Sequence, residues 1–389
     1  MKAKQVACVS AVLFAFFIQG FCDIVGISSE YAREAFGWSH TVAGFLPSMV
    51  FVWFLFLGIP VGIKMGTWGR KRTVLMGLAV TFVGMMVPLI GTSWACLVGY
   101  AALGIGNAVL QVSQNALLRN VFADEKMLTS SVTAGQVVKA VSSFCGPFFM
   151  LFAVNVLGGG DKSHWYLVFP TLGLVTLASA LWLALSPIER EPAEDSGVTV
   201  GKTLSLLGDK TLLLLFFGIF FVVGIDVGTN FVSSKVMVER YSWAVTEAGI
   251  APQVYFISRT VGAFLGVFLM AKIRPIFYFR SNILVCLAVI LLLAFCPAQP
   301  LVALALIGAI GFLCSCIFPI IYSMAVQTRP DKANLISGLM ITAVAGGGAV
   351  TPFIGWATDG GGITAGVCVL LACALYLIFC AFGVKVGRK

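Results

Sequence analysis

Four ionisable residues stand inside otherwise apolar stretches of the chain: Asp23, Lys139, Asp226 and Arg259. At the centre of a membrane each such group costs roughly 2.5–3.5 kcal/mol on insertion scales. Four together require mutual pairing or a wet cavity. Two are acids and two are bases, so complete pairing is open to them; so is the binding of an ion and a ligand. Desolvation disfavours the charged form of a carboxylate, and such an acid can bind and release a proton, or hold sodium, as its cavity opens to either side. Asp23 lies in Phe16-Phe17-Ile-Gln19-Gly20-Phe-Cys-Asp23, a kinked, polar stretch in a greasy helix. Asp226 takes nearly the corresponding place in Phe220-Phe221-Val-Val-Gly224-Ile-Asp226-Val-Gly228.

Uncharged hydrogen-bonding side chains cluster around these charges: Gln19, Gln111, Gln114, Asn115, Gln136, Asn230 and Gln253. An amide supplies both donors and acceptors, which suits a polyhydroxy ligand. Trp53, Tyr255, Tyr322 and Trp356 are aromatics available to stack on a sugar ring. Amides also act as glue between membrane helices, and many aromatics face lipid, so residue by residue both roles stay open. The two histidines, His40 and His164, fall at outer helix ends, and the eleven cysteines are scattered, all within spans but Cys296 at the end of one, without a CxxC pair. No metal site and no cofactor are expected from them.

The elements that position these residues must be membrane helices. Hydrophobic residues make up 59% of the 389 and charged residues 11%, against about a quarter charged in soluble domains. Such a chain is solvated by lipid, and each crossing needs roughly 20 apolar residues. Twelve spans are predicted: 6–28, 41–65, 73–91, 94–118, 128–154, 164–186, 211–234, 246–270, 276–295, 300–324, 334–357 and 363–384. The first is too long for a cleaved signal peptide and lacks a small-residue cleavage site.

Of 25 Lys and Arg, 19 fall on the side of the two termini (Lys64 and Arg280 at span ends among them), four on the other side and two, Lys139 and Arg259, deep inside spans. The positive-inside rule then places both ends in the cytoplasm. That bias accounts for the net charge of +9 without nucleic-acid binding. A plasma membrane location (the inner membrane in a bacterium) and a monomer are expected.

Landmarks of the first half recur about 204 positions later: Phe17 and Phe221, Gly20 and Gly224, Gly58 and Gly262, Gly62 and Gly266, Gly104 and Gly308, and Pro147 with Pro352 after one residue of slip. Two membrane-embedded halves joined head to tail mark one large class of secondary transporter. The predicted division is a six-helix bundle over 1–186, a cytoplasmic linker over 187–210 and a second six-helix bundle over 211–389.

Between spans two and three runs Gly62-Ile-Lys-Met-Gly-Thr-Trp-Gly69-Arg70-Lys71-Arg72. It resembles the signature loop of the major facilitator superfamily, with Gly66 replacing the usual Asp. Further runs narrow the resemblance: Gly20-Phe-Cys-Asp23-Ile, Gly104-Ile-Gly-Asn-Ala-Val-Leu-Gln111-Val-Ser-Gln-Asn115, Gln136 followed by Gly146-Pro147, Phe318-Pro-Ile-Ile-Tyr322-Ser, and Gly346-Gly-Gly-Ala-Val-Thr-Pro352-Phe-Ile-Gly-Trp356. With these, most of the chain resembles the fucose/glucose–galactose symporter family within that superfamily. The resemblance implies import of a monosaccharide, driven by a proton or sodium gradient through alternating access of two six-helix halves. It implies that Asp23 is the coupling site, that Asn115 and Gln136 are sugar-facing amides, that Gln111 stands where fucose permeases carry Glu, and that Asp226 replaces a Glu. Two positions depart from the pattern. Lys139 stands where the family has Asn, and Arg259 lies one turn before the Arg expected at Ala263.

The expected substrate-binding set is Gln19, Gln111, Asn115, Gln136, Lys139, Asp226, Asn230, Arg259, Tyr255, Tyr322 and Trp356. An alternative keeps the fold and changes the ligand, with Lys139 and Arg259 holding the carboxylate of an acidic sugar, or the site taking an amino sugar. A membrane enzyme would need a catalytic constellation, which these residues do not form. A transport-dead sensor would need a soluble output domain, for which the loops leave no room.

Overall fold

The computed structural model describes residues 3–38, 40–121, 128–190, 199–243, 245–296 and 299–384. Residues 191–198 of the expected linker and 122–127 of a basic loop lie outside the described residues. Helix α1 (Ala3–Gln19) passes through a 3-10 turn, Gly20–Ile24, into α2 (Val25–Phe36). Then follow α3 (His40–Trp68), α4 (Arg70–Met86), α5 (Ser93–Val121), α6 (Leu128–Phe152) and α7 (Val168–Leu185). After the short α8 (Val200–Leu204) come α9 (Lys210–Tyr241), α10 (Val245–Ala248), α11 (Ile250–Lys272) and α12 (Pro275–Phe295). The remainder is α13 (Pro300–Cys314), α14 (Ile317–Thr328), α15 (Ala333–Thr342) and α16 (Gly346–Gly383).

Eleven helical stretches among the described residues are long and apolar enough to cross a membrane. The last of them, Pro330–Gly383, has 54 residues. At 1.5 Å per residue that is about 80 Å of helix, against roughly 30 Å of hydrocarbon. The chain breaks there at Gly362, whose φ of 71° and ψ of 179° are non-helical. The stretch therefore holds two crossings, and the helix count agrees with twelve spans.

The chain divides into two compact units. The first is Met1–Thr203 with Ser337–Thr342; the second is Leu204–Ile336 with Ala343–Lys389. Their boundary falls between Thr203 and Leu204, within the segment expected to be the linker. In the first unit, α4 packs against α5 and α7, α1 against α5, α6 and α7, and α3 against α5. Gly58 and Gly62 of α3 lie against Gly338, which places Ser337–Thr342 in this unit. In the second unit, α9 packs along α16, with α11 against α13 and α12 against α16.

Glycine permits the closest approaches, and the repeat is visible in them. A Cβ on Gly104 would stand 2.8 Å from Val50 Cα, and one on Gly308 would stand 3.1 Å from Val254 Cγ1. Both members of that pair recur 204 residues on. Small residues let membrane helices pack backbone to backbone, where dispersion and weak polar contacts replace a hydrophobic driving force.

Candidate functional site

The 3-10 turn that carries Asp23 is held against α6 by Gly20. A Cβ at that position would come within 2.5 Å of the Lys139 carbonyl oxygen and 2.6 Å of Ser142 Cβ, so only glycine lets the turn approach so closely. The approach brings Asp23 to Ser143, whose hydroxyl donates to Asp23 Oδ2 at 2.5 Å. The same Oγ lies 3.0 Å from the Lys139 carbonyl oxygen, one helical turn earlier. Cys22 Sγ stands 3.5 Å from Asp23 Oδ1 and 3.1 Å from the Gln19 carbonyl. Lys139 is half-buried, and among the described residues no carboxylate lies within ion-pair distance of it. Asp23 thus has hydroxyl and thiol partners and no direct cation.

The amides of this unit form a connected group. Gln19 Nε2 donates to Gln111 Oε1 at 2.9 Å, Asn115 Nδ2 to the Gln111 carbonyl at 2.8 Å, and Gln114 Nε2 to the Ala15 carbonyl at 2.9 Å. Gln19, Gln111, Asn115 and Gln136 are all buried. Much of their hydrogen-bonding capacity is unused by the protein: Gln19 Oε1, Asn115 Oδ1 and Gln136 Nε2 have no partner. A buried polar atom without a partner costs about 1–3 kcal/mol, so these atoms are open to water or to a polar ligand.

Two residues of this site were not singled out in the sequence. Ser143 is one. Asn107 is the other: it is 3% exposed, and neither its Nδ2 nor its Oδ1 has a partner. It lines a cavity of about 10 Å³ with Gln19, Cys22 and Thr81, a size that admits a single water. Its position one turn before Gln111 on α5 was the available signal. A larger cavity of about 420 Å³, lined by Tyr31, Phe36, Lys162, Trp165 and Tyr166 among others, includes none of the expected site residues.

In the second unit the acid is held differently. Arg259 Nη2 meets Asp226 Oδ2 at 2.9 Å, and the Tyr255 hydroxyl donates to Asp226 Oδ1. Tyr255 and Arg259 are four residues apart on α11, so they share a face and grip the carboxylate together. Tyr255 is fully buried, with its hydroxyl on the acid, so here it acts as a hydrogen-bond donor. Asn230, one turn beyond Asp226 on α9, is half-buried. Tyr322 is buried and stacked on Phe318, with ring centroids 6.1 Å apart. Trp356 is 77% exposed beside the exposed Phe353. It has the setting of a lipid-facing aromatic and lies outside the buried cluster; Gln253 is exposed as well.

The basic loop of the first unit has a structural explanation. Gly69 takes φ +88° ahead of α4, a conformation that favours glycine. Lys71 Nζ donates to the Ala184 and Ser186 carbonyls at 3.0 and 2.7 Å, where a cation complements the carbonyl end of α7. Arg70 donates to Asn120 Oδ1, and Arg190 donates to the Thr67 carbonyl at 2.7 Å. Gly62 is buried and Arg72 is exposed.

A duplicated set of membrane-crossing helices, with acids at matched places and buried amides beside them, defines a membrane carrier of the secondary-transporter class. The Major Facilitator Superfamily profile matches residues 8–352, and the chain belongs to that family. It is a multi-pass membrane transporter.

A glucose/galactose transporter of Brucella abortus (biovar 1, strain 9-941) is 22% identical over 387 residues, covering 95% of this chain and 92% of that protein. The crystal structure of FucP in the outward conformation superposes with a TM-score of 0.83 at 18% identity, covering 98% of this chain and 100% of that one. A second FucP structure, of the E. coli fucose:proton symporter, gives 0.82 at the same identity and coverage. At such identities the structural likeness shows the fold.

Proposed function

We propose that the protein imports a monosaccharide together with a proton or sodium ion, by exposing one site alternately to the two faces of the membrane. The observation that carries this reading is the first unit's cluster: an intramembrane acid with no direct cation, flanked by buried amides whose donors and acceptors are unused. Amides of both polarities match the hydroxyls of a sugar, and the acid supplies the coupling site. The names of the Brucella relative and of FucP agree with a sugar as substrate. The distribution of Lys and Arg supports a plasma membrane location with both termini in the cytoplasm.

A second reading rests on Lys139. Arg259 is engaged by Asp226, which leaves Lys139 as the cation best placed to recognise the carboxylate of an acidic sugar. Thermal-shift measurements with neutral and acidic sugars separate the two readings. Stabilisation by neutral hexoses alone removes the second.

The coupling assignment is tested with Asp23→Asn in proteoliposomes. Counterflow of the sugar should persist, because exchange needs no net movement of the ion. Uphill accumulation should be abolished. A mutant that still accumulates sugar at the wild-type level would rule Asp23 out as the coupling site.

A further inference from the structure

We propose that Ser143 is the positioning residue that gives Asp23 a hydrogen-bond partner in both of its protonation states; this rests on the symport reading above. Ser143 Oγ stands 2.5 Å from Asp23 Oδ2 and 3.0 Å from the Lys139 carbonyl oxygen. A hydroxyl carries one proton and two acceptor lone pairs, so it serves this pair of neighbours in two ways. While Asp23 is ionised, the Ser143 O–H donates to the carboxylate. When a proton arrives from the open face, an O–H bond forms on Asp23 and that group donates to Ser143 Oγ. The Ser143 proton then turns to the Lys139 carbonyl. No proton is lost by the serine, and Asp23 has a partner before and after.

Among the described residues, the titratable side chain in contact with Asp23 is Cys22 on the turn itself, and Lys139 on α6 meets Ser143 Oγ through its backbone carbonyl. The Gln19 and Gln111 amides of α1 and α5 bond to each other.

The test is sugar uptake into proteoliposomes across external pH 5.5 to 8.5, with sodium present or replaced by choline. D-glucose, D-galactose and L-fucose serve as probes, and wild type, Ser143→Ala and Ser143→Thr are compared. A charge-assisted hydrogen bond is about twice as strong as a neutral one, so removing the hydroxyl disfavours the ionised acid more than the protonated one. Ser143→Ala should therefore shift the pH profile of uptake away from that of the wild type. It should slow net accumulation more than counterflow. Ser143→Thr keeps the hydroxyl and should restore the wild-type profile. A Ser143→Ala profile that overlays the wild type overturns the proposal, and so does uptake that requires sodium and ignores the pH gradient. Wild-type protein that moves none of the three sugars at any pH would instead defeat the symport reading itself.

Discussion

Asp23 and Asp226 occupy nearly the same place in the two halves of the repeat, yet their surroundings differ. Asp226 is clamped by a guanidinium and a phenol from one face of α11. Asp23 is met by a serine hydroxyl and a cysteine thiol, with Lys139 near it and not bonded to it. A direct ion pair fastens α9 to α11. A hydroxyl partner accommodates either protonation form of an acid. The repeat thus holds one acid in an ion pair and the other against a hydroxyl, and the unpartnered amide atoms of Gln19, Asn115 and Gln136 lie in the unit of the second.

The largest effect that would sharpen this contrast comes from Arg259→Leu. Removing one member of a buried ion pair leaves an uncompensated charge, which costs about 3–5 kcal/mol. The side chains are 19% and 22% exposed, so the lower end of that range is expected, read as a fall in the unfolding midpoint in detergent. The double variant Arg259→Leu with Asp226→Asn should recover most of the loss. A single variant as stable as wild type would show that Asp226 is no fastening.

Next come the glycines that set each acid's backbone. Gly20→Ala pushes a methyl against a backbone carbonyl and Ser142 Cβ, whereas Gly224→Ala meets the Val350 side chain, its Cγ2 2.7 Å away. Overpacking costs about 1–3 kcal/mol, and alanine's better helix propensity returns about 1 kcal/mol. Gly20→Ala should be the more destabilising of the two and should also impair uptake, because it lifts Asp23 away from Ser143. Equal effects in the two variants would erase this difference between the halves.

The smallest effect is expected from Lys139→Met. With no carboxylate in contact, its loss should change stability by less than about 1 kcal/mol, the range of substitutions that break no packed or paired feature. Its consequence should lie in ligand preference, visible as a changed response to acidic sugars in the thermal-shift screen. A loss as large as that of Arg259→Leu would mean that Lys139 neutralises Asp23 in the way Arg259 neutralises Asp226.

Much of this was legible in the residues. The membrane makes each buried charge costly, so Asp23, Lys139, Asp226 and Arg259 stood out, and the amides near them could be gathered by type. Ser143 and Asn107 did not stand out, because serine and asparagine are ordinary between membrane helices, and the Ser143 contact joins positions 120 residues apart. Aromatic type alone did not show how two positions are used. Tyr255 serves through its hydroxyl, and Trp356 is exposed on α16. The basic loop was recognised by its pattern, but the use of Lys71 as a cap on α7 depends on where the Ala184 and Ser186 carbonyls lie in space.

The order of residues by itself determined the class: apolar runs of membrane length, a repeat of about 204 positions and a bias of basic residues dictate a duplicated helical carrier, since lipid admits few other solutions. Only tertiary structure decided which base meets which acid. Pairing is a matter of a few ångströms and of side-chain direction between helices far apart in the chain, and composition is silent on both.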